Sequence, residues 1–397
     1  MRDYRRYIGQ WLSALLVLLL TACSSGNDES QPDSKPVLKI YVFAPDHPIV
    51  TRADNGDVDA TDVEKKINSL HVWVFEHESG GYVGHISLSN VSLSETAGNE
   101  VTMELDDAFA NTPNVDKPRV DVYVVANATA ANCGISLDAT TTREDLDNAL
   151  IKEDFFGVSN LIKTVPTDGL PMSGVMKDKK ITGSKPVYQV SEDGGDLANV
   201  RLVRAVSKVR FVVSKSTSNE DELTINSITL DDGVIPNQEY LFLDGAYPNF
   251  KSHVKTAADY VMNASSNPLV SDIDGDNIKR NDSPASYSWD GVMSGQEYEN
   301  LINSGISLGR LSDLGTFYLR ESDKVVKGKF NYTLKHEDEE PVTRESAFTM
   351  HDAGDFTRNH TWIVYAYFVS SGDLIMGMVE VKDWTSSENT SQNVYNW

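Results

Sequence analysis

Apolar residues recur at every second position in short runs rich in Val, Ile, Tyr and Phe, and Asn, Asp, Gly and Ser separate the runs. A two-residue period puts alternate side chains on opposite faces of an extended chain, so the pattern predicts strands with a buried face. Leu38, Ile40 and Val42 share a face of the first run. Leu70, Val72 and Val74 do so in the next, with His71, Trp73 and Phe75 opposite, and Val120, Val122 and Val124 repeat the pattern around Tyr123. Residues 224–230 read as a further strand, and residues 362–369 and 374–381, joined by Ser370-Ser371-Gly372-Asp373, as a hairpin. One helix is predicted over residues 142–151, where Thr142 precedes Glu144 and Asp145 and apolar residues follow at helical spacing. Strands at short spacing with turn signals between them predict an all-β chain of β-sandwiches with few short helices.

Residues 200–213 place Val203, Ala205, Val209, Phe211 and Val213 on one face and Arg204, Lys208 and Arg210 on the other. That is long for one strand, and it follows the polar residues 191–196. A chain of 397 residues exceeds what one ordinary core fills. The reading is therefore two tandem sandwiches, residues 53–205 and 206–397, with the boundary in this segment. The cationic face is expected on the solvent side, paired with neighbouring carboxylates.

The N-terminus changes the setting. Arg2, Arg5 and Arg6 precede an uncharged apolar stretch, residues 12–20, that runs into Thr21-Ala22-Cys23. A basic start, a short apolar core and a small-residue site ending in cysteine predict a bacterial lipoprotein signal over residues 1–22, with Cys23 as the lipidated first residue of the exported chain. Attached acyl chains would hold the precursor on a membrane. Residues 23–52 then combine a polar, acidic tether with the first apolar run. With Cys23 lipidated only Cys133 remains, so no internal disulfide is possible, and Cys133 reads as a small buried hydrophobe. The net charge of −24 excludes the electrostatics that drive binding to nucleic acid or an anionic lipid surface.

Catalytic and metal signatures are missing from the sequence. There is no Gly-rich phosphate loop, nucleophile elbow, H-E-x-x-H or paired-cysteine pattern, so neither an enzyme nor a cofactor is expected. Asp272, Asp274 and Asp276 alternate as calcium ligands would, but Asn277 stands where an EF-hand needs Gly and Ser283 where it needs Glu, so they read as an acidic turn. His71, His77 and His85 fall around one hairpin without partner ligands at metal spacing and read as strand-surface residues. Glu337-Asp338-Glu339-Glu340 reads as solvated loop charge.

Five short motifs occur in order behind the lipid signal: Val122-Tyr123-Val124-Val125-Ala126-Asn127, Leu170-Pro171-Met172-Ser173-Gly174, Leu202-Val203-Arg204-Ala205-Val206-Ser207-Lys208-Val209, Arg358-Asn359-His360 and Val379-Glu380-Val381-Lys382-Asp383-Trp384. In this arrangement the chain resembles the fimbrillin family, the subunits of type V fimbriae on Gram-negative cells. The resemblance implies two transthyretin-like β-sandwich domains and export to the cell surface as an outer-membrane lipoprotein. It also implies removal of an N-terminal strand by an Arg-specific protease, and polymerisation when a C-terminal strand of another subunit fills the vacated groove. Residues 37–43 are the prospective leaving strand, and Arg52 and Ala53 flank the expected cut in a Pro-, Asp- and Gly-marked connector. Lys65 and Lys66 offer another cut. The expected donor is the tail beyond Trp384, with Val394, Tyr395 and Trp397 as its large apolar residues.

The partners so implied are other fimbrial subunits, the outer membrane through the lipid, and a host or bacterial surface ligand. Two further readings stand beside the polymerising subunit: a minor tip adhesin or base anchor, and a surface glycan-binding lipoprotein using aromatics such as Trp289 and Tyr298.

Overall fold

The computed structural model describes residues 35–44, 61–94, 98–113, 117–151, 165–216, 218, 221–231, 234–235, 239–242, 270–271, 292–294, 296, 312–322, 324–350, 356–369 and 374–383. The N-terminal strands are β1 (Val37–Phe43), β2 (Ile67–Glu76), β3 (Tyr82–Val91), β4 (Asn99–Glu104), β5 (Val120–Ala126), β6 (Leu150–Ile151), β7 (Met172–Ser184), β8 (Val187–Ser191), β9 (Asn199–Arg201) and β10 (Val203–Arg204). Seven of them run in the order β3-β2-β5-β7-β8-β1-β4, with β10 added on β7 and β9 on β1. The long β7 joins two faces: residues 172–179 pair with β5 and residues 180–184 with β8, and Asp178, at the irregularity in the β5 ladder before the change of partner, has a φ of 57°. Alternation then fills the interior as expected, with Leu38, Ile40 and Val42 of β1 in one core with Leu70, Val72 and Val74 of β2 and Val120, Val122 and Val124 of β5.

The C-terminal strands are β11 (Ser207–Ser216), β12 (Glu222–Leu230), β13 (Glu239–Tyr240), β14 (Val270–Ser271), β15 (Val292–Met293), β16 (Ser312–Leu319), β17 (Lys327–Lys335), β18 (Val342–Thr349), β19 (His360–Phe368) and β20 (Leu374–Asp383). One sheet runs β15-β11-β19-β20 with β16 also on β11, and another runs β14-β12-β17-β18. Between them lie Val209, Phe211, Trp362, Val364 and Phe368 from the first and Ile225, Ile228, Phe330 and Phe348 from the second. The predicted hairpin is β19–β20, antiparallel from His360↔Asp383 to Phe368↔Leu374. The all-β reading holds, and the four helices among the described residues have at most five residues each.

A third apolar cluster joins the two groups. The outer faces of β2 and β5 contribute Trp73, Phe75, Tyr123 and Val125, the chain crossing contributes Ala205 and Val206, and Leu241, Phe242 and Tyr318 come from the C-terminal half. Cys133 is buried here, as expected of a small hydrophobe.

Two expectations need correction. The helix at Thr142 covers only Arg143–Asp147: Asn148 ends it, and Leu150–Ile151 becomes β6, paired with β13. Tertiary pairing overrides the local period there. Residues 200–213, too long for one strand, divide into β9, β10 and β11, broken around Leu202 and at Ala205–Val206. Most important, the cationic face is not solvent-facing: Arg204 is 0% and Lys208 4% exposed. Alternation places them opposite Val203 and Val209, but that opposite face is covered by the rest of the chain.

Candidate functional site

Strand β1 occupies a slot between strands that are not its sequence neighbours. It pairs antiparallel with β4 from Val37↔Glu104 to Val42↔Asn99 and parallel with β8 from Val37↔Val187 to Lys39↔Gln189. Its C-terminal end runs parallel to β9, from Tyr41↔Asn199 to Phe43↔Arg201. The slot is closed at its ends by Val37 N donating to Pro186 O (2.9 Å), Leu105 N to Pro36 O (3.0 Å) and Leu202 N to Phe43 O (3.1 Å). Leu38, Ile40 and Val42 point inward and are fully buried, each stabilising by roughly 1.5–3 kcal/mol. Outward, Lys39 and Tyr41 meet Glu100: the ammonium lies 2.9 Å from the carboxylate, and the phenol donates to it at 3.1 Å. Taking β1 away would bare an apolar trough and leave ladder donors and acceptors of β4, β8 and β9 unpaired. An extended segment of alternating pattern satisfies both needs.

Downstream, four of the five sequence motifs converge on a buried polar junction. Asn127 and Asn359 both adopt left-handed backbone, with φ of 58° and 60°, which Asn tolerates better than most residues. Asn127 uses its carboxamide to hold two other segments against its own: Oδ1 accepts from Asn68 N at 2.8 Å, and Nδ2 donates to Lys66 O at 2.8 Å and Leu170 O at 2.9 Å. Asn359 donates its backbone N–H to Val206 O at 2.8 Å and accepts from Arg204 N at 3.3 Å. Ser173 Oγ donates to Leu241 O at 2.6 Å, and Ser207 Oγ donates to Thr357 O. Gly174 is glycine because a Cβ there would collide with the Arg201 carbonyl.

Two charged clusters complete the junction. Arg358, fully buried, donates to Glu321 Oε1 through Nε (3.1 Å) and Nη2 (2.7 Å), and to Leu241 O (3.0 Å) and Tyr240 O (2.7 Å). Glu239 lies 3.4 Å from the same guanidinium. Burial, then the Glu321 charge, pushes the Glu239 carboxyl well above its usual range, and Arg358 and Arg320 offset only part of that.

The second cluster centres on Glu64, 1% exposed, in the helix Asp62–Lys65. It accepts from Thr61 N at 2.6 Å, closing a capping box, and from Tyr318 Oη at 2.5 Å, and Lys208 Nζ lies 3.0 Å away. Arg204 Nε adds a bond to Glu64 O at 3.4 Å. Burial pushes the Glu64 carboxyl up, but Lys208, Tyr318 and the Thr61 amide outweigh it, and the net displacement is downward. Burial lowers Lys208 despite the attraction of Glu64, and it raises the Tyr318 phenol, with Glu64 adding to the rise.

The predicted processing and assembly residues Cys23, Arg52, Ala53, Val394, Tyr395 and Trp397 lie outside the described residues, as do Asp272, Asp274, Asp276, Trp289 and Tyr298. Lys65 ends the Glu64 helix, and Lys66 follows it. His71 and His85 are half-buried rather than on an open surface: their ring nitrogens face each other at 3.4 Å and both rings stack on Trp73. His77 contacts the buried Asp121 at 2.6 Å. Residues 337–340 are exposed in the turn between β17 and β18, as expected. Sequence reading missed Glu64, Glu239, Glu321 and Tyr318. Only Glu64 carries a local signal, the Thr61-x-x-Glu64 capping box ahead of an apolar run.

The model of the family described as Major fimbrial subunit protein (FimA) matches residues 38–230. No curated protein matches the sequence. Among solved structures, a candidate cell adhesion protein from Parabacteroides distasonis aligns over 90% of this chain and 98% of its own with 14% identity and a TM-score of 0.54, a likeness of fold. The tip fimbrial protein Mfa3 from Porphyromonas gingivalis, truncated at its C-terminus, aligns over 88% of this chain and 100% of its own, with 14% identity and a TM-score of 0.44. The fimbrial anchor protein Mfa2 from the same organism covers 88% and 98%, with 10% identity and a TM-score of 0.39. The matched stretch begins within β1 and ends with β12, taking in three of the ordered motifs and the slot itself, and over it this chain is similar to that family.

Proposed function

We propose that this protein is a structural subunit of cell-surface fimbriae that supports adhesion. It is exported as a lipoprotein through Cys23, cut after Arg52, and polymerised when the tail of another subunit, led by Val394, Tyr395 and Trp397, enters the slot left by β1. The two sandwich domains, residues 53–205 and 206–397, remain folded throughout. The observation that carries this reading is the position of β1: an alternating strand paired on both edges with strands from distant sequence, so that its loss leaves a trough any similar strand fits. Backbone bonds of an added strand are individually modest, so side chains entering the positions of Leu38, Ile40 and Val42 would decide affinity.

The test is mass spectrometry of protein sheared from cells, together with electron microscopy of a chain carrying Tyr395→Asp and Trp397→Asp. A start at Ala53 and short or absent fibres from the variant are expected. Long fibres from the variant, or a lipidated start at Cys23 in assembled fibres, would overturn the polymerising role.

A further inference from the structure

The helix Asp62–Lys65 lies between the strand proposed to leave and β2, the next described strand in sequence. Its single buried side chain, Glu64, reaches residues of the C-terminal half: Lys208 at 3.0 Å and Tyr318 at 2.5 Å. Its backbone is held as well, by Thr61 in the capping box and by Arg204 at Glu64 O, and the carbonyl of Lys66, just past its end, accepts from Asn127. We infer that this helix is a permanent strut of the mature subunit, fixing the N-terminal sheet against the C-terminal sandwich, and that the Lys65–Lys66 bond is closed to maturation proteases. The inference rests on the maturation reading above, and it places any cut upstream of Thr61.

The physical reason is the cost of opening. A protease binds its substrate extended, and drawing Lys65 and Lys66 out would break the capping box, the Asn127 bond to Lys66 O and the Glu64–Lys208 pair together. Lys208, 4% exposed, would then lose the Glu64 carboxylate from beside its ammonium in the interior. Cutting at that bond would have the same result, because it separates Glu64 from the chain that continues into β2. A lysine pair that reads as a cleavage site in the sequence is thus a poor one in the fold.

The test uses the purified full chain under native conditions with a lysine-specific endoprotease, cleavage being mapped by mass spectrometry. Cutting at Lys65 and Lys66 should be far slower than in the urea-denatured chain. Glu64→Gln should raise the native rate by roughly tenfold or more, since opening no longer separates an ion pair. The double variant Glu64→Leu with Lys208→Met, which removes both charges at similar volume, should fold and return towards the slow rate. Native cutting as fast as in the denatured chain would overturn the strut, as would a Glu64→Gln rate equal to the original. If Glu64→Gln does not fold, the double variant decides: fast cutting of its folded form overturns the inference. The two readings fail separately, because a mature N-terminus at Lys66 or Ile67 sinks the strut, whereas one upstream of Thr61 but not at Ala53 sinks only the Arg52 assignment.

Discussion

The two segments flanking residues 45–60 are held by different kinds of force. Strand β1 is fixed by backbone ladders on both edges and by Leu38, Ile40 and Val42, none of which demands a particular sequence beyond alternation. The Asp62–Lys65 helix is fixed by one carboxylate that meets an ammonium, a phenol and an amide at defined positions. Generic forces make a segment replaceable, and specific buried charges make it permanent. On the maturation reading proposed above, one fold carries an exchangeable element and an anchored one close together in sequence.

The strongest way to break this contrast is at the anchored side. Arg358→Met removes the guanidinium that two buried carboxylates and two carbonyls share, and should cost about 3–5 kcal/mol in urea unfolding of the precursor. A change below about 1 kcal/mol would show that the junction is not what holds the halves.

Ile40→Ala probes the exchangeable side. In the uncut precursor it should cost about 3 kcal/mol through the cavity it leaves, whereas in a subunit that has lost residues 37–43 the same substitution is physically absent. Precursor and matured forms of this variant should therefore differ in melting behaviour much less than the unsubstituted pair does. An unchanged difference would mean that β1 contributes little to its slot.

The smallest expected effect is a dependence on pH. The folded Glu64 carboxyl lies below its ordinary value of 4.5, so its contribution is fully present above that value and is lost as pH falls through the folded value. The core side chains of β1 carry no charge. Between pH 6 and pH 3.5 the unsubstituted chain should lose more stability than Glu64→Gln. Equal losses would place the acid sensitivity elsewhere.

Much of the β architecture was legible because alternation is a local record of burial. The β1 boundaries, the β2 and β5 faces and the β19–β20 hairpin all follow from it. The junction was not legible in the same way. Arg204 and Lys208 read as a wet cationic face because period two says only that they oppose Val203 and Val209, not what lies beyond them. Their partner Glu64 is far away in sequence and sits on a single helical turn too short to leave a periodic trace. Asn127 and Asn359 were visible only as members of motifs, their left-handed backbone being a property of chain crossings. Glu239 and Glu321 gave no local sign of burial, since a carboxylate in a polar stretch looks the same wet or dry.

The pairing of β1 also bears on kinetics. Because its ladder partners lie far along the chain, β1 shares no tight turn with any of them, and the chain that continues from Phe43 is its link to the rest of the fold. A strand on such a link sits in its slot at an effective concentration on the order of millimolar, however weak its own contacts. Sever the link and the strand competes at its true concentration, its residence time set by dissociation alone. The contacts can stay the same while occupancy passes to whichever strand is supplied in excess.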